Sequence, residues 1–300
     1  MSGAVATRPR QAARLSGPVR SGAKRSLRLY GELTAGLRPG PDFLIIGAKR
    51  GGTTSLWNYL QEHPLVLPLL PARQRIKGPH FFDSNFQLGM RWYRSHFPTS
   101  AWRRALERRG GGPVVAGDAS PYYLFHPLAA ERAAELAGDS KVIALLRDPV
   151  ERAFSHYKER MRHGAEPLSF EEALEAEPER LAGEAERIVA EPGYSSFAHE
   201  HHSYVAQSRY LDMLPAWLER FPRERVLLLP SEDLYADPQA TLDRVTAFLG
   251  LPGRRLRDRT KHNYHPAADM LPSTRQHLRG LFAEHNRELS ERLGMRFDWT

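Results

Sequence analysis

Phe43, Leu44, Ile45 and Ile46 form an apolar run of strand length. Gly47, Ala48, Lys49, Arg50, Gly51 and Gly52 follow as a basic, glycine-rich turn before Thr53, Thr54 and Ser55. Those residue types in that order suit an anion cradle. Glycines let the turn's backbone N–H groups converge on a phosphate or sulfate, a following helix contributes its positive end, and Lys49 or Arg50 supplies full charge. The spacing from Gly47 to Gly52 is that of a Walker A loop, yet Thr53 stands where its lysine belongs and the basic side chains precede the glycines. That arrangement argues against an ordinary ATPase. A second segment repeats the logic: Lys141 to Leu146 reads as a buried strand, and Arg147, Asp148 and Pro149 open a helix that carries Ser155.

The two loops together resemble the sulfotransferase family, whose loop for the 5′ end of the donor 3′-phosphoadenylyl sulfate (PAPS) has a basic residue, a small residue, glycine and a threonine pair. The resemblance implies that Lys49, Arg50, Gly51, Gly52, Thr53, Thr54 and Ser55 hold the 5′-phosphosulfate and that Arg147 and Ser155 grip the 3′-phosphate. A guanidinium fork suits a phosphate dianion, which makes the second assignment chemically sensible. Lys261 stands where the family closes a basic loop over the adenosine 3′-phosphate. His80, Phe81, Phe82 and Asp83, with Trp92, Tyr93, Phe97 and Pro98 beyond them, resemble the carbohydrate, heparan-sulfate-type members. Gly117 to Tyr123, Arg223 to Leu229, Ser231 to Leu234 and the Asp237-Pro238 pair extend the likeness over most of residues 41 to 300.

The resemblance implies an enzyme that moves the sulfuryl group of PAPS to a hydroxyl or amine of a carbohydrate, glycolipid or small metabolite, with Arg50 and Lys49 steadying the departing nucleotide. Related carbohydrate enzymes place a glutamate two residues before the histidine as the base, and this chain has Gly78 there. His80, Asp83 and Asp118 are the groups left to take the proton. Gly78→Glu is expected to set a carboxylate back in front of the acceptor hydroxyl. Two other readings stay open: a P-loop phosphotransferase, disfavoured by Thr53 and by Arg147 preceding Asp148, and a PAPS-binding protein without chemistry.

The cradle must sit between a buried strand and a helix, and the order of elements says which. Strands are expected at 42–47, 114–118, 141–146 and 225–229. Helices are expected at 53–63, 86–96, 127–137, 149–163, 207–220, 238–249 and 273–293, with 64–85 irregular and 164–204 an inserted helical flap. Alternation of this kind gives an α/β fold, a P-loop-like parallel sheet flanked by helices, with binding loops at the carboxyl ends of its strands.

Composition narrows the partners. The chain of 300 residues carries a net charge of +8, of which +7 belongs to residues 1 to 40, a Gly-, Ser- and Ala-rich stretch expected to be a disordered basic tail. The remainder is close to neutral, so no nucleic-acid partner is expected, and the tail is left a weak contact with anionic membrane. The chain contains no cysteine, so disulfides, thiol catalysis and Cys-held metals are excluded. His199, Glu200, His201 and His202 lack the spacing of a helical zinc pair, and no metal is expected in the site. A cytoplasmic location is the expectation.

Overall fold

A computed structural model describes residues 26, 28–71, 76–110, 112–257 and 270–299. The strands are β1 (Phe43–Gly47), β2 (Val66–Leu67), β3 (Val115–Asp118), β4 (Lys141–Leu146) and β5 (Val226–Pro230). They form a parallel sheet in the order β2-β3-β1-β4-β5. β1, β3 and nearly all of β4 are buried, as near-continuous apolar strands covered on both faces must be.

β1 lies between β3 and β4, so the chain leaves it in opposite directions on its two sides. That is the switch point at which open α/β sheets bind ligands. Register sets what meets there: Leu44 pairs with Asp118 and Gly47 with Ala144. The glycine-rich turn, the end of β3 and Arg147 are thereby brought to one edge.

Helices Thr53–Gln61, Pro149–Arg162 and Pro238–Leu249 fall where the apolar periodicity placed them. Asp148 caps the second by accepting from the N–H groups of Val150 and Glu151, and Pro149 supplies its first turn. The 164–204 segment is helical, with Phe170–Leu181, Glu184–Ala190 and Phe197–His201. It is anchored by a core of Phe154, Tyr157, Phe170, Tyr204, Leu278 and Phe282, shared with helices Pro149–Arg162 and Pro272–Leu293.

Two expectations change, and one helix is new. The 64–85 stretch holds β2, paired with β3 at Val66 and Val115. Helix Ser100–Gly110 has no residue in the buried class, so the sequence shows little apolar stripe to announce it. The expected tail of residues 1–40 ends too late, because Ala35 and Arg38 are buried and the Arg38 guanidinium donates to the carbonyl of Phe97. No described helix is long and apolar enough to cross a membrane.

Candidate active site

The glycine-rich turn packs against the sheet so closely that a Cβ on Gly51 would lie 2.7 Å from the carbonyl oxygen of Leu145. Arg50 (φ 72°) and Gly52 (φ 91°) take left-handed backbone angles, turning the chain sharply into helix Thr53–Gln61. Ser231 Oγ donates to the Gly51 carbonyl at 2.7 Å, tying the loop to the end of β5.

Arg50 lies against both Arg147 and Ser155. Arg50 Nε donates to Ser155 Oγ at 3.1 Å, and Arg147 donates to the Arg50 carbonyl at 3.2 Å. Lys49 turns elsewhere. Its ammonium donates to the Glu200 carbonyl at 3.0 Å and lies 3.2 Å from His201 Nδ1, with the Glu200 carboxylate at 3.5 Å. Burial brings its pKa down to about 8 against the attraction of Glu200. Lys261 lies outside the described residues.

Two residues escaped the sequence reading. Lys77 donates from Nζ to the hydroxyls of Thr53 at 2.9 Å and Thr54 at 3.2 Å. Burial, reinforced by Arg50, lowers its pKa to about 7. Arg152 is wholly buried; it donates from Nε to Ser208 Oγ at 2.6 Å, and its other nitrogens bond the carbonyls of Tyr204 at 2.5 Å and Lys49 at 3.3 Å. The signal for Arg152 lay in a strongly charged residue set among the apolar positions of its helix. A lone lysine in an irregular loop gives no such signal.

His80 takes a left-handed angle (φ 51°), secured by its N–H donating to Ser120 Oγ at 3.1 Å. Its Nδ1 lies 2.8 Å from Asp83 Oδ2. Burial opposes the charged ring, but the Asp83 carboxylate prevails and raises the pKa above the usual histidine value. With Nδ1–H given to Asp83, Nε2 carries the lone pair.

Asp118 is fully buried. Its Oδ2 accepts from Tyr93 at 3.0 Å and Tyr123 at 2.7 Å, and its Oδ1 from Ser120 at 2.7 Å. Burial lifts its pKa to about 6 despite those hydroxyls. With three hydroxyls on its two oxygens, Asp118 is linked to the His80 backbone through Ser120. Gly78 explains the missing glutamate: a Cβ there would fall 2.3 Å from Ser120 Oγ and 2.6 Å from Asp118 Oδ1. The expectation that Gly78→Glu simply returns a base to the cleft therefore fails for want of space.

The histidines of the insertion go separate ways. His199 meets the Tyr122 hydroxyl at 2.8 Å, His201 lies between Lys49 and Arg160, and His202 meets the Ala165 carbonyl at 2.9 Å. No cluster of three or more His, Cys, Asp or Glu among the described residues is placed to hold a metal ion. Tyr93 and Tyr123 are wholly buried, and Tyr93 stacks on Phe81 at 4.4 Å.

Residues 40–299 match the sulfotransferase domain family. The chain belongs to that family. It is 32% identical over 219 residues to mouse heparan sulfate glucosamine 3-O-sulfotransferase 3A1, covering 73% of this chain and 48% of that protein. It is 27% identical over 213 residues to the bifunctional heparan sulfate N-deacetylase/N-sulfotransferase 1 of Caenorhabditis elegans, covering 71% of this chain and 22% of that one. The chain thus spans about half or less of these relatives' lengths. A solved sulfotransferase from Alicyclobacillus acidocaldarius superposes with a TM-score of 0.64 at 28% identity, covering 86% of this chain and 98% of its own.

Proposed function

We propose that this sulfotransferase-family chain transfers the sulfuryl group of PAPS to a hydroxyl or amine of a carbohydrate acceptor. The observation that carries the reading is the meeting of Arg50 with Arg147 and Ser155 across the ends of β1 and β4. Two phosphate-binding devices built on separate strands suit a nucleotide with phosphates at both 5′ and 3′ positions.

The residues present fit such a donor. Arg50, Arg147 and Lys77 stand around the positive end of helix Thr53–Gln61, and burial and mutual repulsion depress Arg50 and Lys77. A buried excess of positive charge at a helix N-terminus is stabilised by an anion. PAPS supplies the activated sulfuryl group; the chain supplies its binding, its orientation and the proton acceptor. In this reading His80 Nε2 takes the acceptor's proton, and the Asp83 carboxylate 2.8 Å from Nδ1 orients the ring and stabilises it once charged. The carbohydrate acceptor class is supported by the names of the heparan sulfate relatives.

Adenosine 3′,5′-bisphosphate (PAP) and ATP with Mg²⁺ separate this reading from a phosphotransferase. At a hundred times its dissociation constant PAP adds about 2.7 kcal/mol of stability, a clear melting shift, while ATP with Mg²⁺ adds much less. Equal shifts from the two nucleotides would reject the assignment.

A further inference from the structure

The glycine-rich loop carries its own amine, Lys49, and the structure commits that amine to the insertion, on the carbonyl of Glu200 and the ring of His201. The amine found at the start of helix Thr53–Gln61 comes from another part of the chain. Lys77, in the loop between β2 and β3, reaches Thr53 and Thr54 with Nζ at 2.9 and 3.2 Å. Its surroundings give that charge little return. The helix end is positive, and Arg50 adds to the repulsion. The carboxylate that attracts it, Asp118, already accepts from Tyr93, Tyr123 and Ser120. A half-buried cation so placed is matched by a bound anion, and the anion at this helix end is the 5′ group of the donor.

We infer that Lys77, rather than Lys49, is the amine that meets the 5′-phosphosulfate of the donor. The inference rests on the donor reading above and adds to it a division of labour. Lys49 fastens the insertion to the loop, and Lys77 supplies the charge. In the transfer, the sulfur–oxygen bond to the 5′-phosphate breaks with its electron pair passing to that phosphate oxygen. The acceptor oxygen bonds to sulfur, and its proton passes to His80 Nε2. Lys77 stabilises the phosphate oxygen that receives the pair.

Calorimetric binding of PAP and of adenosine 3′-monophosphate, which lacks the 5′-phosphate, tests the inference without any turnover. Lys77→Met is expected to weaken PAP by about 10- to 100-fold, the loss of one charge-assisted hydrogen bond, and to leave the 3′-monophosphate unchanged. Lys77→Arg keeps the charge and retains most of the PAP affinity. Should Lys77→Met fail to fold, Lys77→Gln carries the same comparison. If the Lys77 variants keep the wild-type preference for PAP while Lys49→Met abolishes it, the amine is Lys49 and the inference is overturned. If the wild-type protein binds neither nucleotide, the donor reading falls first and takes the inference with it.

Discussion

His80 holds a backbone angle that costs a non-glycine residue on the order of 1–2 kcal/mol, and its surroundings hold it there: Ser120 Oγ takes its N–H, and its carbonyl accepts from the Asn85 N–H at 2.9 Å. The ring is thereby fixed against Asp83. His80→Ala should lose on the order of 10²- to 10⁴-fold in kcat while PAP affinity, measured by calorimetry, stays near wild type. The sign of the pH dependence follows from Asp83. Because the carboxylate raises the folded pKa, the neutral base is lost as pH falls through a value above the ordinary histidine value of about 6.5. The pairing's contribution to stability runs the other way, full below about 6.5 and lost as pH rises through the folded value. Asp83→Asn should move the acid limb of kcat/KM downwards, since burial alone then acts on the ring. Gly78 gives a second test at this scale. Gly78→Ala forces a methyl towards Ser120 and Asp118 and should cost about 1–3 kcal/mol in urea unfolding. Gly78→Glu should not rescue His80→Ala.

Helix Pro149–Arg162 ties the site together through side chains at helical spacing. Arg152 holds the Lys49 carbonyl, Ser155 accepts from Arg50, and Arg160 meets His201. Although burial raises Glu159, the neighbouring Arg160, Arg50 and Lys49 outweigh it and draw its carboxylate below the usual range. Arg152→Met should destabilise by about 2–4 kcal/mol, because the carbonyls of Lys49 and Tyr204 and the Ser208 hydroxyl lose a shared donor in a dry interior. Equilibrium unfolding reads that loss, and a Met variant as stable as wild type would contradict the clamp. Legibility in the sequence also divides at this scale. β1, β4 and helix Pro149–Arg162 were readable because their apolar runs, caps and turn residues are local signals. β2 is two residues long and takes its identity from pairing with β3. Arg147 and Ser155 were reached through the motif, whereas Lys77 meets Thr53 and Thr54 only once a loop beyond β2 folds back over the helix start. Sequence spacing carries no record of such an approach.

The whole chain places its charge in two kinds of setting. Much of the +8 excess lies before residue 40, while the cations of the site are half-buried at the carboxyl edge of the sheet, with the insertion fastened to Lys49. Residues 40–299 match the sulfotransferase domain family, and the chain superposes on a solved sulfotransferase. The most direct measurement is transfer of radiolabelled sulfate from PAPS to a panel of heparan-type oligosaccharides, other sugars and phenols, run with wild type, Arg147→Ala and His80→Ala. Label is expected on a carbohydrate acceptor with the wild-type protein, with Arg147→Ala needing far more PAPS and His80→Ala turning over slowly at saturating donor. PAP binding by the wild type with no label on any acceptor would contradict the transferase reading and leave a nucleotide-binding protein in its place.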